Sequence, residues 1–145
     1  MSAPDKPKQK ILFVCYGNIC RSPMAAGIAR LRLGNRVEVA SAGIAAFGGP
    51  AAEDAQLVMK IVYKTDISDH EARSFSTYDP LEFDVIIAMD FPIFNTLKDI
   101  WSVPEDKLFG WDIEDPLGQG YEAFKSAAFK IEKRLDQFLA NHGLD

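Results

Sequence analysis

The residues best suited to chemistry lie in one short segment, CYGNICRS at positions 15–22. A cysteine in its thiolate form is a strong nucleophile, and the planar guanidinium of an arginine matches two oxygens of a phosphate. Cys15 and Arg21 are separated by the five residues of a tight loop. This pattern indicates covalent phosphoryl transfer, in which the Cys15 sulfur attacks phosphorus while Arg21 and backbone amides neutralise the phosphate oxygens.

The backbone of this segment also suits an anion. Successive N–H groups in a tight loop form an anion-binding concavity, and the following helix adds unpaired donors and a positive dipole end. Gly17 and Asn18 tolerate the left-handed backbone that such a loop requires. These surroundings favour the thiolate of Cys15. Ser22 either donates its hydroxyl to that sulfur or serves as the N-cap of the helix, with Pro23 in the first helical position.

These residues need a scaffold, and the chain predicts one. Apolar runs typical of strands buried on both faces alternate with helical stretches. The predicted strands are residues 11–14, 37–40, 83–89 and 107–109, and the predicted helices are 23–33, 52–62, 91–100 and a last helix around 124–138. The alternation predicts an α/β fold with a four-stranded parallel sheet and helices on both faces, a Rossmann-like or flavodoxin-like three-layer sandwich. Ligands of such sheets bind beyond the carboxyl ends of the strands, which is where Cys15 lies.

The domain organisation is simple. Its 145 residues are enough for one domain. Residues 1–9 are predicted to form a flexible N-terminal tail, and residues 10–145 a single domain that contains the phosphoryl-transfer site. Within the second helix, the spacing predicts inward-facing side chains at Leu57, Val58, Ile61 and Val62.

Composition limits the partners and the location. The net charge of −5 and the pI of about 5.0 argue against a nucleic-acid partner. No apolar run approaches the ~20 residues of a membrane span, and the N-terminus lacks the apolar segment of a secretory signal. Two cysteines this close together do not staple a fold, stay reduced in a cytosol, and lack the second pair of ligands of a zinc site. We therefore expect a cytoplasmic protein with no metal, no cofactor and no membrane insertion.

Phosphoryl transfer through sulfur also needs an acid that protonates the leaving group and later activates water. Three carboxylates stand together in the last third of the chain: Asp112, Glu114 and Asp115. Asp115 is followed by proline, which holds it extended and stiffens its loop. Asp79 is also followed by proline, but it lies just before the third strand and is expected to form only a turn.

With these residues in view, the chain resembles the low-molecular-weight protein tyrosine phosphatases. The resemblance is carried by VCYGNICRSP at 14–23, SAG at 41–43, HEAR at 70–73, FDVIIAMD at 83–90 and DP at 115–116. It implies that Cys15 is the nucleophile, Arg21 the phosphate-binding arginine and Asp115 the general acid. It also implies a hydrogen-bond network that supports the loop, formed by Asn18, Ser22, Ser41 and His70. The substrate-binding residues implied by the loop and its surroundings are Tyr16, Gly17, Asn18, Ile19, Cys20, Ser22, Phe47 and Leu117.

Three of these positions differ from the pattern of the family. Tyr16 follows the nucleophile where leucine or isoleucine is common, and Leu117 follows the Asp-Pro pair where a tyrosine is frequent. Phe47 stands where the family places tryptophan or tyrosine. We expect Tyr16, Phe47 and Leu117 to form the walls of the substrate pocket.

The resemblance implies hydrolysis of phosphotyrosine in a protein substrate through a cysteinyl-phosphate, with inorganic phosphate as the product. Arsenate reduction on the same fold needs further cysteines outside the loop, which this chain lacks. Phosphoarginine phosphatases are expected to carry threonine where Ile19 stands. A domain that only binds phosphorylated partners would need neither Cys15 nor Asp115. Cys20 either packs as a small apolar residue or traps oxidised Cys15 as a reversible disulfide.

Overall fold

The computed structural model describes residues 8–143, which alternate strands with helices. The strands are β1 (Gln9–Cys15), β2 (Val37–Gly43), β3 (Val85–Ala88) and β4 (Leu108–Gly110). The helices are α1 (Arg21–Leu33), α2 (Glu53–Tyr63), α3 (Phe91–Asp99) and α4 (Tyr121–Asn141). Short 3-10 turns occupy residues 34–36, 75–77, 80–82 and 105–107.

All four strands run parallel, in the order β2-β1-β3-β4. The chain moves to one side of β1 to form β2 and to the other side to form β3 and β4. The direction of the strand order therefore reverses at β1, and the carboxyl end beside such a reversal is the place where these sheets bind ligands. Cys15 is the last residue of β1, so the predicted parallel α/β fold is confirmed with the cysteine at this position.

The sheet is covered on both faces. The side chains of Leu12 and Phe13 point to opposite faces of β1, and both are fully buried. The four residues of β3 are buried in the same way, which is why the apolar runs are unbroken. Helices α1, α2 and α4 contact one another, whereas α3 contacts β3 and β4. Because α1 is enclosed by β1, β2, α2 and α4, all of its first nine residues are buried.

The boundaries of β1 and β2 differ from the predictions. β1 begins at Gln9, which was predicted to belong to the tail, and β2 continues to Gly43 rather than ending at Ala40. The extra residues of β2 pair with the carboxyl end of β1, an interaction that apolar spacing alone does not reveal. The remainder of the predicted tail, residues 1–7, lies outside the described residues, as do residues 144–145.

The buried face of α2 differs in part from the face that the helical spacing predicts. Leu57 and Ile61 are exposed, whereas Val58 and Met59 are fully buried. A Cβ on Gly27 of α1 would lie 2.7 Å from the terminal methyl of Met59, so α2 approaches α1 through the space that this glycine leaves. The helical spacing is compatible with either face, and the close contact with α1 selects the face that carries Met59.

Helix α4 is the longest in the described range, with 21 residues. Charged side chains are spread along its exposed side. Within residues 8–143, no helix has both the length and the apolar character needed to cross a bilayer.

Candidate active site

The Cys15 sulfur lies at the base of the loop formed by residues 16–20 and is almost fully buried. The backbone N–H of Asn18 donates to it at 3.2 Å, and the hydroxyl of Ser22 lies 2.9 Å away. Helix α1 begins at Arg21, with Cys20 as its N-cap residue and no side-chain cap. Of the two roles predicted for Ser22, the structure shows its hydroxyl beside the sulfur, whereas the N-cap position belongs to Cys20.

Asn18 is the centre of a buried network that shapes the loop. Its φ of 57° is left-handed, as predicted, and its side chain is completely buried. Its side-chain amide donates to Ser22 Oγ at 2.7 Å and to Ser41 Oγ at 3.0 Å. The Nε2 atom of His70 lies 2.7 Å from the backbone carbonyl of Asn18. The side-chain Oδ1 of Asn18 accepts from the backbone N–H of Arg73 at 2.9 Å. All the contacts expected of this network are present, and Arg73 adds one more.

The glycine that matters most to the shape of the loop is outside it. Of the two residues expected to tolerate a left-handed backbone, Asn18 adopts it and Gly17 does not, so Asn18 alone takes this conformation between positions 15 and 22. A Cβ on Gly43 would lie 2.7 Å from the carbonyl oxygen of Tyr16 and 2.9 Å from the amide nitrogen of Asn18. The end of β2 can therefore approach the loop only because residue 43 has no side chain. The close approach lets Ala45 N–H donate to the Tyr16 carbonyl at 2.8 Å.

The guanidinium of Arg21 is buried and held from the side of β3. Its Nη1 donates to Asp90 Oδ2 at 2.7 Å and to the carbonyl of Ile113 at 2.8 Å. The other oxygen of Asp90 accepts from the N–H of Ile93 at 2.9 Å and so caps α3. The Nη2 of Arg21 lies 3.9 Å from Asp115 Oδ2. One carboxylate thus orients Arg21 and begins a helix at the same time.

Asp90 is a site residue that the sequence reasoning missed. It was noted only as part of the segment at residues 83–90. A usable signal was present, because a phosphate-binding arginine that is buried needs a carboxylate partner. The aspartate that follows β3 stands at the carboxyl end of the strand beside β1, which makes it the natural candidate.

Asp115 lies on the loop between β4 and α4, with its side chain half exposed. Its Oδ1 accepts from the N–H of Leu117 at 3.1 Å, while Oδ2 faces Arg21. Asp112 and Glu114 are exposed and do not line the cavity that contains the Cys15 sulfur. Of the three neighbouring carboxylates, the structure therefore brings Asp115 to the sulfur and the guanidinium.

Asp79, the other aspartate that is followed by proline, does not line the cavity that contains Cys15. Asp79 Oδ1 accepts from the N–H of Leu81 at 2.9 Å, and the residue begins the 3-10 turn at 80–82. The prediction that this Asp-Pro pair forms only a turn is confirmed.

The cavity above the sulfur has a volume of about 50 Å³. It is lined by Cys15, Tyr16, Gly17, Ile19, Cys20, Arg21, Asp115 and Leu117. Two of the three expected wall residues are present, and Phe47 is not. Phe47 is 96% exposed at the tip of its loop, because its neighbours are alanines and glycines that offer no surface to pack against.

Cys20 is buried beside the same cavity. Burial raises the pKa of its thiol to about 12, and the negative charges of Asp115 and Cys15 act in the same direction. Cys20 therefore remains a neutral thiol near pH 7. The two cysteines of the loop are free of disulfide bonds.

A thiol, a guanidinium and a carboxyl gathered at the first strand-to-helix loop of a parallel α/β domain define a site of the cysteine-dependent phosphatase type. A family profile described as low molecular weight phosphotyrosine protein phosphatase matches residues 10–144. The chain therefore belongs to this family.

Individual relatives agree with that assignment. Low molecular weight protein-tyrosine-phosphatase Wzb of Salmonella typhi is 34% identical over 136 residues, which cover 89% of this chain and 91% of Wzb. The crystal structure of the low molecular weight protein tyrosine phosphatase from T. tengcongensis superimposes with a TM-score of 0.85 at 36% identity, covering 92% of this chain and 99% of that one. The arginine phosphatase YwlE from Geobacillus stearothermophilus gives a TM-score of 0.77 at 28% identity, covering 92% and 97%.

Proposed function

We propose that this protein hydrolyses phosphotyrosine in protein substrates through a cysteinyl-phosphate intermediate. One observation carries the proposal: the Cys15 sulfur, the Arg21 guanidinium and the Asp115 carboxyl all line a single small cavity. A nucleophile, an anion-binding group and a proton donor in one opening are the parts that covalent phosphoryl transfer requires. Family membership supports the same reaction.

In the first step, the phosphate of the substrate enters the loop and is bound by backbone amides and by Arg21. The sulfur of Cys15 attacks phosphorus, an S–P bond forms, and the P–O bond to the tyrosine ring breaks. The carboxyl of Asp115 donates its proton to the departing phenolate oxygen. Because Asp90 already holds one side of the guanidinium, Arg21 offers its remaining donors to the equatorial oxygens without having to rearrange.

In the second step, the ionised carboxylate of Asp115 takes a proton from a water molecule, and that water attacks phosphorus. The S–P bond breaks, the sulfur leaves as a thiolate, and inorganic phosphate is released. The donors at Asn18 N–H and Ser22 Oγ stabilise the thiolate at the start and at the end of the cycle. Every proton and electron pair is accounted for by residues of the chain and one water, so the proposed cycle uses no cofactor.

The walls of the cavity support an aryl substrate. Tyr16 and Leu117 are half exposed at its rim, and Ile19 adds an apolar side chain to the lining. The similarity to an arginine phosphatase makes phosphoarginine the second candidate substrate. The apolar Ile19 disfavours it, since a guanidino group needs polar partners when it is buried.

The decisive experiment compares rates on matched peptides that carry phosphotyrosine, phosphoserine or phosphoarginine, in buffer that contains EDTA. We expect phosphotyrosine to be hydrolysed fastest and Cys15→Ser to abolish all hydrolysis. A faster rate on phosphoarginine would replace the proposed substrate. Full activity of Cys15→Ser would show that Cys15 is not the nucleophile. If the wild-type protein binds the phosphopeptides but does not hydrolyse them, the protein is a binding module and not an enzyme.

The thiol pair supports two further parts of the proposal. The protein acts in the cytoplasm, where free cysteines such as Cys15 and Cys20 stay reduced.

Peroxide converts the Cys15 thiolate to a sulfenic acid, which Cys20 attacks to form a disulfide with release of water. Mass spectrometry after peroxide treatment should find a disulfide that a thiol reverses. Irreversible sulfonic acid at Cys15 alone would contradict a protective role for Cys20.

A further inference from the structure

The loop that carries Asp115 is closed mainly by its own hydrogen bonds. The N–H of Leu117 donates to Asp115 Oδ1 at 3.1 Å, and the N–H of Gln119 donates to the carbonyl of Pro116 at 3.0 Å. The side chain of Gln119 adds a third bond, from Nε2 to the backbone carbonyl of Asp115 at 2.8 Å. This third bond links Gln119, near the end of the loop, to Asp115 in its middle, and so spans the second half of the loop.

The second half of this loop has little else to hold it. Pro116 is buried, but Gly118 and Gly120 have φ values of 78° and 91°, and a Cβ on either would meet no atom within 4 Å. A cavity of about 150 Å³ separates the loop from α4, with Gln119 and Asp115 among its lining residues. Packing therefore restrains this half of the loop only weakly. The hydrogen bond from the Gln119 side chain to the Asp115 carbonyl is its main side-chain restraint.

The bond from Gln119 acts on the peptide unit that follows Asp115. Fixing that carbonyl oxygen fixes the ψ angle of Asp115 and hence the direction in which its carboxyl leaves the backbone. A general acid must come within about 2.6–3.2 Å of the oxygen that it protonates. Misplacement of a catalytic group by about 1 Å can cost ~10²-fold in rate.

We propose that Gln119 is a positioning residue that aims the carboxyl of Asp115 at the leaving oxygen of the substrate. The inference rests on the proposed function, because it presumes that Asp115 is the proton donor. Gln119 acts through the backbone of Asp115 and takes no part in the chemistry itself.

The test compares kcat/KM on phenyl phosphate, whose leaving group needs a proton, with kcat/KM on 4-nitrophenyl phosphate, whose leaving group needs one much less. Two variants remove the donor: Gln119→Ala, and Gln119→Met, which keeps the length of the side chain. For both variants we expect kcat/KM to fall by roughly 10-fold on phenyl phosphate and by less than about 3-fold on 4-nitrophenyl phosphate. The loss on phenyl phosphate is a part of the roughly 10²–10⁴-fold that a general acid contributes to the rate.

The chain contains a matched control. Gln56, in the first turn of α2, donates its Nε2 to the backbone carbonyl of Ala51 at 2.8 Å, which is the same kind of side-chain-to-backbone bond at another place in the fold. Gln56→Ala should leave the ratio of the two rates at its wild-type value. Equal losses on both substrates in the Gln119 variants would indicate a structural role only and would overturn the inference.

Asp115→Ala separates failure of the inference from failure of the proposed function. If Asp115→Ala changes the ratio of the two rates but neither Gln119 variant does, the inference is wrong and the proposed function stands. If Asp115→Ala leaves the ratio unchanged, the assignment of Asp115 as proton donor is wrong, and the inference fails with it. In the Asp115→Ala background, Gln119→Ala should cause no additional loss, because no proton donor remains to be aimed.

Discussion

The Nη1 atom of Arg21 lies 2.7 Å from Oδ2 of Asp90, although 69 positions separate the two residues along the chain. The guanidinium that faces the Cys15 sulfur is thus held by the residue that ends the turn after β3. The same aspartate caps α3 through its other oxygen. The orientation of the phosphate-binding group and the stability of a neighbouring helix are therefore coupled through one carboxylate.

Substitution of Asp90 should separate these two roles. Asn at an N-cap accepts the same backbone hydrogen bond, so Asp90→Asn loses the charge beside Arg21 but keeps the cap. Asp90→Ala loses both, and its free energy of unfolding should fall below that of Asp90→Asn by about 1 kcal/mol, the usual contribution of a cap. Urea denaturation measures this difference. Both variants should bind inorganic phosphate more weakly, measured by product inhibition. Equal stabilities of the two variants would contradict the capping role.

Asp115→Ala should lower turnover by roughly 10²–10⁴-fold, the usual contribution of a general acid. Asp112→Ala is the matched control, since Asp112 is exposed nearby and does not line the cavity. Steady-state rates on phenyl phosphate measure this effect, and the loss on 4-nitrophenyl phosphate, whose leaving group needs a proton much less, should be smaller. A mild effect of Asp115→Ala together with a large effect of Asp112→Ala would show that the acid is misassigned.

Asn18 combines a left-handed backbone with a buried hydrogen-bond network, and two variants distinguish these contributions. Asn18→Gly keeps the favourable backbone but loses the bonds to Ser22, Ser41 and the Arg73 amide. Asn18→Ala loses the same bonds and adds a conformational cost of about 1–2 kcal/mol. We expect both variants to lose activity, and Asn18→Ala to be less stable than Asn18→Gly by that amount. Thermal and urea unfolding measure the difference, and equal stability would mean that the backbone here carries no strain.

The thiol of Cys20 should make stability fall at alkaline pH. Burial raises its pKa to about 12 in the folded protein, whereas an exposed thiol in the unfolded chain loses its proton near pH ~8.5. Between these values the unfolded state binds fewer protons than the folded state, so the free energy of unfolding decreases as pH rises. From pH 8.5 to 10.5, Cys20 should contribute a decrease of about 2 kcal/mol.

Cys20→Ser should remove this part of the decline, leaving the slope that all other groups produce. Urea unfolding of both proteins at a series of pH values provides the comparison. Identical slopes for the variant and the wild type would show that the Cys20 thiol titrates alike in the folded and unfolded chains.

Much of the molecule follows from the sequence, because the relevant interactions are local. The strand and helix segments follow from apolar runs and helical spacing, and their alternation leads to a parallel sheet. Cys15 and Arg21 belong to one loop, so their proximity is guaranteed by the chain. The left-handed conformation of Asn18 was also predictable, since its residue type tolerates that conformation at little cost.

The tertiary structure decided the contacts between distant segments. It placed Asp90 against Arg21, left Phe47 exposed, and turned Met59 rather than Leu57 of α2 toward α1. Spacing along the chain cannot reveal these arrangements, because they depend on the order of the strands and on how closely two helices approach. The order reverses at β1, and this reversal brings the ends of β2 and β3 to either side of the cysteine loop. Residues far apart in sequence thus become neighbours only when the whole sheet has formed.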